Sequence, residues 1–171
     1  MADKYIKLNQ NGYLEEVVAT SISTGVDSAG KIIALDAQGK IDSSLLPTGV
    51  GEEVKVLPTY EALAAGDFVN VFSDAGTIKV RKADASSIGK GADGFVLQSY
   101  GASVDANVYL AGFNNALSGL TGGSVYFLSD VTPGAISLTP PTTAGHVVQR
   151  IGKAVSATEM AVEIDVPVIK G

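Results

Sequence analysis

The part of the sequence after residue 51 is divided into about eight short apolar segments by Gly, Pro, Asn and Asp, and this spacing constrains the fold most strongly. Segments of this length, bounded by turn residues, are typical of the strands of an all-β domain. The segments are residues 68–72, 77–81, 94–98, 104–110, 124–128, 135–138, 146–153 and 160–166. The sequence therefore predicts a mainly β fold with a compact β-barrel or β-sandwich domain.

Apolar residues occupy every second position most clearly in two of these segments. Successive side chains of a strand point to opposite faces, so each segment is predicted to have one buried face and one solvent face. The predicted buried positions are Val104, Ala106, Val108 and Leu110 in one segment and Met160, Val162, Ile164 and Val166 in the other.

Turn and cap residues between the segments support the same fold. Thr132-Pro-Gly-Ala135 has Pro at the second position and Gly at the third, which predicts a type II turn, and Ser73-Asp-Ala-Gly76 predicts a second tight turn. One short helix is predicted over residues 59–66, with Thr59 as its N-cap and Gly66 at its C-terminal end.

The composition changes at Pro47-Thr-Gly-Val-Gly-Glu-Glu53, which is typical of a linker. This position divides the chain into an N-terminal part, residues 1–50, and the β domain, residues 51–171. The N-terminal part has few apolar residues, although residues 5–8 and 13–18 have the character of short strands. We expect it to form an extended arm that carries turn and hairpin motifs.

The most distinctive part of this arm is the segment of residues 31–47, in which two short apolar stretches flank the turn Asp36-Ala-Gln-Gly39. Asp at the start and Gly at the end of such a turn favour a small hairpin or corner. A similar turn, Asp27-Ser-Ala-Gly30, lies nine residues earlier. One interpretation is an ordinary hairpin that packs on its own domain; the other is an arm that docks on a neighbouring protein, because isolated hairpins are marginally stable. The candidate partner-binding residues are Ile32, Ile33, Leu35, Ile41, Leu45, Leu46 and Pro47.

The charge of the chain argues against a nucleic-acid partner. Its formal net charge is −6, whereas neutralising phosphates requires clustered Lys and Arg. The nearest approach to a basic patch is Lys79, Arg81 and Lys82. Lys79 and Arg81 alternate with Ile78 and Val80, which predicts the solvent face of an edge strand.

Few residues of this chain have the chemistry of an active site. It contains one His, no Cys and no Trp, and no Gly-x-Ser-x-Gly motif accompanies His146. The carboxylates considered as metal ligands, Asp27, Asp36, Asp42 and Asp74, are each better explained as turn residues. We therefore expect no catalytic residue, metal or cofactor. No apolar stretch is long enough to predict a membrane span, and no signal peptide is indicated.

The run from Asp36 to Gly51, Asp-Ala-Gln-Gly-Lys-Ile-Asp-Ser-Ser-Leu-Leu-Pro-Thr-Gly-Val-Gly, resembles the N-terminal element of tailed-bacteriophage capsid decoration proteins, also called structural cement proteins. Further stretches resemble, in order, a β domain shared by these proteins and some tail-fibre modules. They begin at Phe72, Gly94, Gly119, Thr132 and Val148. The resemblance extends over most of residues 27–169.

The resemblance implies a structural virion protein, made in the cytoplasm of the host bacterium and placed on the outer surface of the capsid. Members of this family form homotrimers that bridge subunits of the major capsid protein. We accordingly expect the β domain to supply the trimer contacts and residues 1–50 to contact the capsid. Related motifs also occur in tail fibres, so a tail-fibre or receptor-binding module is the alternative.

Overall fold

The structure, a computed structural model, describes residues 3–23, 25–35, 39–42, 45–46 and 53–171. The chain is divided into two compact units, Met1–Gly51 and Glu52–Gly171. Within the described residues no helix has the length and apolar character needed to cross a membrane. The fold is mainly β, as predicted.

The N-terminal unit begins with an antiparallel hairpin of β1 (Lys4–Leu8) and β2 (Leu14–Val18). A 3₁₀ turn follows at Gly25–Ser28, and Gly30 after it has a positive φ of 74°. The chain then returns beside β2, where Ile33 forms a parallel bridge to Thr20. The strands predicted over residues 5–8 and 13–18 are confirmed, while the extended course of the arm stays a prediction.

Five strands of the C-terminal unit form an antiparallel sheet in the order β3-β7-β6-β4-β5. Their bounds are β3 Val54–Pro58, β4 Phe68–Asp74, β5 Thr77–Lys82, β6 Gly94–Phe95 and β7 Asp105–Tyr109. Thr59, which follows β3, forms a parallel bridge to Val80 of β5. The two edges of the sheet meet there, so this sheet curls into a small barrel.

Another five strands form the second antiparallel sheet, in the order β10-β9-β12-β13-β8. Their bounds are β8 Gly112–Asn114, β9 Val125–Leu128, β10 Ile136–Ser137, β12 Arg150–Ala154 and β13 Met160–Val162. A separate two-stranded ladder pairs β11 (Val147–Val148) with β14 (Val168–Ile169).

Two hydrophobic cores lie on opposite faces of the first sheet. Val69, Val96 and Val108 belong to a core inside the curled sheet. Phe68 and Phe95, the residues directly before Val69 and Val96, join a larger core with residues of the second sheet. The larger core includes Phe68, Phe95, Tyr126, Leu128, Ile151, Ala154 and Met160. Strand alternation therefore gives the first sheet two apolar faces, which explains why its segments contain so many consecutive apolar residues.

Both predicted turns are present. Gly134 has a φ of 82° and the amide of Ala135 donates to the carbonyl of Thr132 at 3.2 Å, as a type II turn requires. Ala75 and Gly76 join β4 to β5 with φ values of 49° and 89°, the combination of a type I′ hairpin turn.

The short helix predicted over residues 59–66 is wrong. The Thr59 hydroxyl does not cap a helix but bonds to the carbonyl of Gly101 at 2.7 Å. Leu63 is buried, and its backbone exchanges two hydrogen bonds of 2.9 Å with Tyr100. Pairing with distant segments satisfies the backbone groups that a helical turn would have used.

The predicted burial of two strands holds at only some of the predicted positions. Ala106, Val108 and Met160 are buried, whereas Val104 and Leu110 are exposed and Val166 is 83% exposed. Val104 precedes β7, and Leu110 and Val166 follow the last regularly paired residues, Tyr109 and Val162, so these three lie on the surface. Val162 and Ile164 are half-buried against the larger core.

Candidate functional site

The candidate partner-binding residues predicted from the sequence lie largely on the surface of the N-terminal unit. Five of them are between 36% and 55% exposed: Ile32, Ile33, Leu35, Ile41 and Leu46. Leu45 is half-buried, and Pro47 lies outside the described residues. These aliphatic side chains are close together along the chain, and exposed apolar residues that form a contiguous patch mark protein-binding sites.

The backbone around Ile32 is held in place by the hairpin. The hydroxyl of Tyr5 accepts a hydrogen bond from the amide of Ile32 at 3.3 Å and donates one to the carbonyl of Gly30 at 3.4 Å. Thr20 donates to the carbonyl of Ile32 at 3.0 Å and accepts from the amide of Ala34 at 2.9 Å. In this parallel pairing the backbone groups of Ile33 point away from Thr20, toward the open side of the ladder.

The turn predicted between the two apolar stretches is described only in part. Gly39 has a φ of 74°, which agrees with the left-handed conformation expected at the end of the turn. Asp36 and the two residues after it lie outside the described residues, so the hairpin predicted around them stays a prediction. Beyond the turn, the amide of Leu45 donates to the carbonyl of Asp42 at 3.0 Å.

A second exposed apolar surface lies on the β1–β2 hairpin and was not among the predicted site residues. One face of the hairpin carries Ile6, Leu8, Leu14 and Val18, which are 47–74% exposed. The alternation of Ile6 and Leu8 with Tyr5 and Lys7 in the sequence is the signal that could have indicated it. The N-terminal unit thus has more apolar surface than the predicted segment alone supplies.

The two units differ sharply in burial. The fully buried hydrophobic residues begin at Leu63 and all belong to the C-terminal unit; among the described residues of the N-terminal unit there is none. Apolar side chains that find no core in their own unit favour contact with another surface.

The cations of β5 and its neighbourhood are occupied by intramolecular contacts. Lys79 pairs with Asp74 at 2.8 Å and Lys82 with Asp67 at 3.2 Å. The Arg81 guanidinium lies 4.3 Å from the ring centroid of Phe72. These intramolecular contacts explain the presence of three cationic side chains on β5.

His146 forms a hydrogen bond with a carboxylate, which is one of the two side-chain contacts that the histidine of a Ser-His-Asp triad makes. Its Nδ1 lies 3.0 Å from Oδ2 of Asp130. The pair connects the loop after β9 to the residue that precedes β11, beside the point where the carbonyl of His146 accepts a bond from the amide of Lys170. No set of three or more His, Cys, Asp or Glu suited to a metal ion occurs among the described residues.

A groove of about 550 Å³ lies beside β13 in the C-terminal unit, lined by Leu110, Val162, Glu163 and Asp165 among others. The Arg150 guanidinium donates to Glu163 at 2.7 Å and lies 3.5 Å from Asp165. The hydrogen bond to Glu163, aided by the charges of both carboxylates and opposed by burial, raises the pKa of Arg150 above its ordinary value. The guanidinium therefore stays charged, and the carboxylates at this end of the groove are paired with it.

No protein-family model matches the chain, and comparison with curated proteins produces no match.

Proposed function

We propose that this chain is a structural virion protein that decorates and stabilises the outside of a tailed-phage capsid, where it bridges subunits of the major capsid protein as a homotrimer. The observation that carries the proposal is the contrast between the two units. The C-terminal unit buries two hydrophobic cores of its own, whereas most aliphatic side chains among the described residues of the N-terminal unit are exposed. The resemblance of residues 36–51 to the decoration proteins gives this contrast a specific interpretation.

In this proposal the N-terminal unit binds the capsid protein. Ile32, Ile33, Leu35 and Ile41 present apolar side chains, and the outward backbone groups of Ile33 offer a strand edge to a sheet of the capsid protein. Leu45, Leu46 and Pro47 fill a pocket beside that sheet.

The C-terminal unit forms the body of the decoration and contributes to the trimer. Threefold closure requires a heterologous interface, in which each copy presents two different surfaces. Exposed apolar residues such as Phe113 and Leu138, 53% and 50% exposed, are available on this unit for such contacts.

The copy number of the protein in purified virions tests the proposal directly. Quantitative mass spectrometry should give a number comparable to that of the major capsid protein, because a decoration protein occupies the repeating head lattice. A few copies per particle would contradict the proposal and place the chain in the tail, as a fibre or receptor-binding module.

A double substitution tests the capsid-binding residues. Leu45→Ser with Leu46→Ser should weaken binding to heads by about tenfold or more, because burying each leucine in a partner stabilises the complex by roughly 1.5–3 kcal/mol. The free energy of unfolding of the isolated protein should fall by less than about 1 kcal/mol, since neither side chain belongs to a core.

The matched control is Val131→Ser with Val166→Ser, which also removes two exposed apolar side chains but lies on the C-terminal unit. Heads should bind this control as tightly as the unchanged protein. A large loss of thermal stability in the Leu45 and Leu46 variant would instead show that these residues pack inside the protein.

A further inference from the structure

On both outer edges of the β1–β2 hairpin, backbone groups have no partner among the described residues. The amide of Ala19 donates to the carbonyl of Asp3 at 2.9 Å, and the amide of Asn9 donates to the carbonyl of Tyr13 at 2.8 Å. These bonds at the two ends of the ladder make odd-numbered residues bond across the hairpin, because hydrogen-bonded and non-hydrogen-bonded pairs alternate. The backbone groups of the even-numbered residues therefore point outward.

Thr20, the next even-numbered residue after β2, demonstrates this geometry. It uses its outward amide and carbonyl to pair with Ile32 and Ala34. On β1, Ile6 and Leu8 have the same outward orientation, and on β2 so do Leu14 and Glu16. None of these four has a backbone partner on its outward side among the described residues.

The two edges carry opposite charges. β1, with the sequence Lys-Tyr-Ile-Lys-Leu, has two lysines and no acidic residue. β2, with the sequence Leu-Glu-Glu-Val-Val, has two glutamates and no basic residue. A hairpin with one basic edge and one acidic edge is complementary to a second copy of itself.

The two faces of the hairpin also differ. Tyr5 on one face reaches the residue 30–32 loop of its own unit through its hydroxyl. The opposite face carries the exposed aliphatic residues, with a 2.5 Å ion pair between Lys4 and Glu16. This second face is open to contact with neighbouring hairpins.

We propose that the β1 edge of one copy pairs antiparallel with the β2 edge of a second copy of this chain. In the register that the hairpin itself uses, Ile6 lies opposite Glu16 and Leu8 opposite Leu14, and these are the residues whose groups point outward. Each lysine of β1 then lies near a glutamate of the neighbouring copy as well as one of its own, which stabilises the pairing.

Other pairings of the same edges are less favourable. Two β2 edges joined antiparallel place Glu16 directly opposite Glu16 of the other copy, and two β1 edges bring four lysines together. Like charges opposite one another destabilise a sheet. The heterologous pairing is the one in which opposite charges meet.

Heterologous pairing repeats until it closes, because each copy retains one unused edge of each kind. Closure at three copies rests on the trimer of the proposed function. The pairing of β1 with β2 is argued from the hairpin alone. The aliphatic faces of adjacent hairpins then form one continuous apolar surface.

Two proline substitutions test the contact in the full-length protein. Ile6→Pro and Glu16→Pro each remove an outward amide and leave the amides that hold the hairpin, since proline is tolerated where the lost N–H faces solvent. Amide hydrogen exchange by NMR then reports on the outward amides of Leu8 and Leu14. In the unchanged protein at high concentration these amides should exchange at least about tenfold more slowly than in either variant.

An equimolar mixture of the two variants distinguishes the proposed pairing from other pairings. The Glu16→Pro protein keeps an intact β1 edge and the Ile6→Pro protein an intact β2 edge, so the mixture should form one contact per pair of chains. Protection should return at Leu8 of the first and at Leu14 of the second. Protection of Leu8 in the Glu16→Pro protein alone would overturn the proposal, because β1 would then have a partner other than β2.

The unchanged protein provides a measurement that depends on no variant. Protection of Leu8 and Leu14 should increase with protein concentration and decrease as salt is added, because the contact joins a basic edge to an acidic one. Fast exchange of both amides at every concentration would overturn the proposal. Protection of the inward amides of Tyr5 and Lys7 serves as the check that the hairpin is folded.

This outcome is separable from the proposed function. Exchange is measured on the isolated protein, whereas copy number is measured on virions. If the copy number matches the head lattice but the edge amides exchange fast, the proposed hairpin contact is overturned and the proposed decoration function is retained.

Discussion

At the scale of single residues, the amide of Gln149 connects three parts of the C-terminal unit. Its Oε1 accepts from the amide of Ala92 at 2.7 Å, and its Nε2 donates to the carbonyls of Ala92 and Asp165, both at 2.9 Å. The side chain is 2% exposed. Because both ends of the amide are satisfied in a buried site, its removal leaves three backbone groups without partners.

Gln149→Leu should therefore destabilise the protein by about 2–4 kcal/mol, since buried groups without hydrogen bonds each cost about 1–3 kcal/mol and losses within one network are not additive. Chemical denaturation measures the change. The control is Gln98→Leu, at an exposed position, which should change the free energy of unfolding by less than about 0.5 kcal/mol. Equal effects of the two substitutions would show that the Gln149 network contributes nothing to stability.

At the scale of elements, close contact between strands depends on glycines without side chains. A Cβ on Gly152 of β12 would lie 2.2 Å from the carbonyl oxygen of Ala161 on β13, and one on Gly94 would lie 2.5 Å from that of Tyr109. These neighbours are backbone atoms of paired strands, which cannot move aside without breaking the ladder.

Gly152→Ala should accordingly destabilise the protein by about 2–3 kcal/mol through overpacking. Gly101→Ala is the matched control, because a Cβ there meets nothing within 4 Å and the substitution should be neutral or slightly stabilising. Thermal or chemical unfolding of the two variants side by side gives the comparison. Equal stability of Gly152→Ala and Gly101→Ala would contradict this prediction, because β12 and β13 would then accommodate the added Cβ at little cost.

Local pattern predicted the strands better than it predicted their partners. The turns at Thr132 and Ser73 were predictable because Pro and Gly restrict the backbone locally. The helix over residues 59–66 was wrong because Leu63 pairs with Tyr100, a contact that no local pattern contains. β3, β8 and β14 were missed, since they are short or exposed and are defined mainly by their partner strands. For the candidate site, the sequence was enough to identify apolar residues in a segment that is poor in apolar residues. The backbone groups on the outer edges of the hairpin could be identified only from the register of β1 and β2.

At the scale of the whole molecule, the stability of the chain is concentrated in one unit. Both hydrophobic cores are built from residues of Glu52–Gly171. In its described part, the N-terminal unit has a two-stranded ladder and a single bridge to Ile33. A hairpin with that little burial is marginally stable on its own and gains stability from surfaces that cover it.

A chain consisting of residues 52–171 should therefore fold alone, with a free energy of unfolding within about 1 kcal/mol of that of the full-length protein at low concentration, because no core residue has been removed. A peptide of residues 1–51 should show little ordered structure by circular dichroism. Differential scanning calorimetry of the full-length protein should give one main transition, which coincides with that of the shorter chain. A fall of several kcal/mol on truncation would contradict this division, because it would mean that the N-terminal unit supports the β domain instead of depending on contacts with other chains.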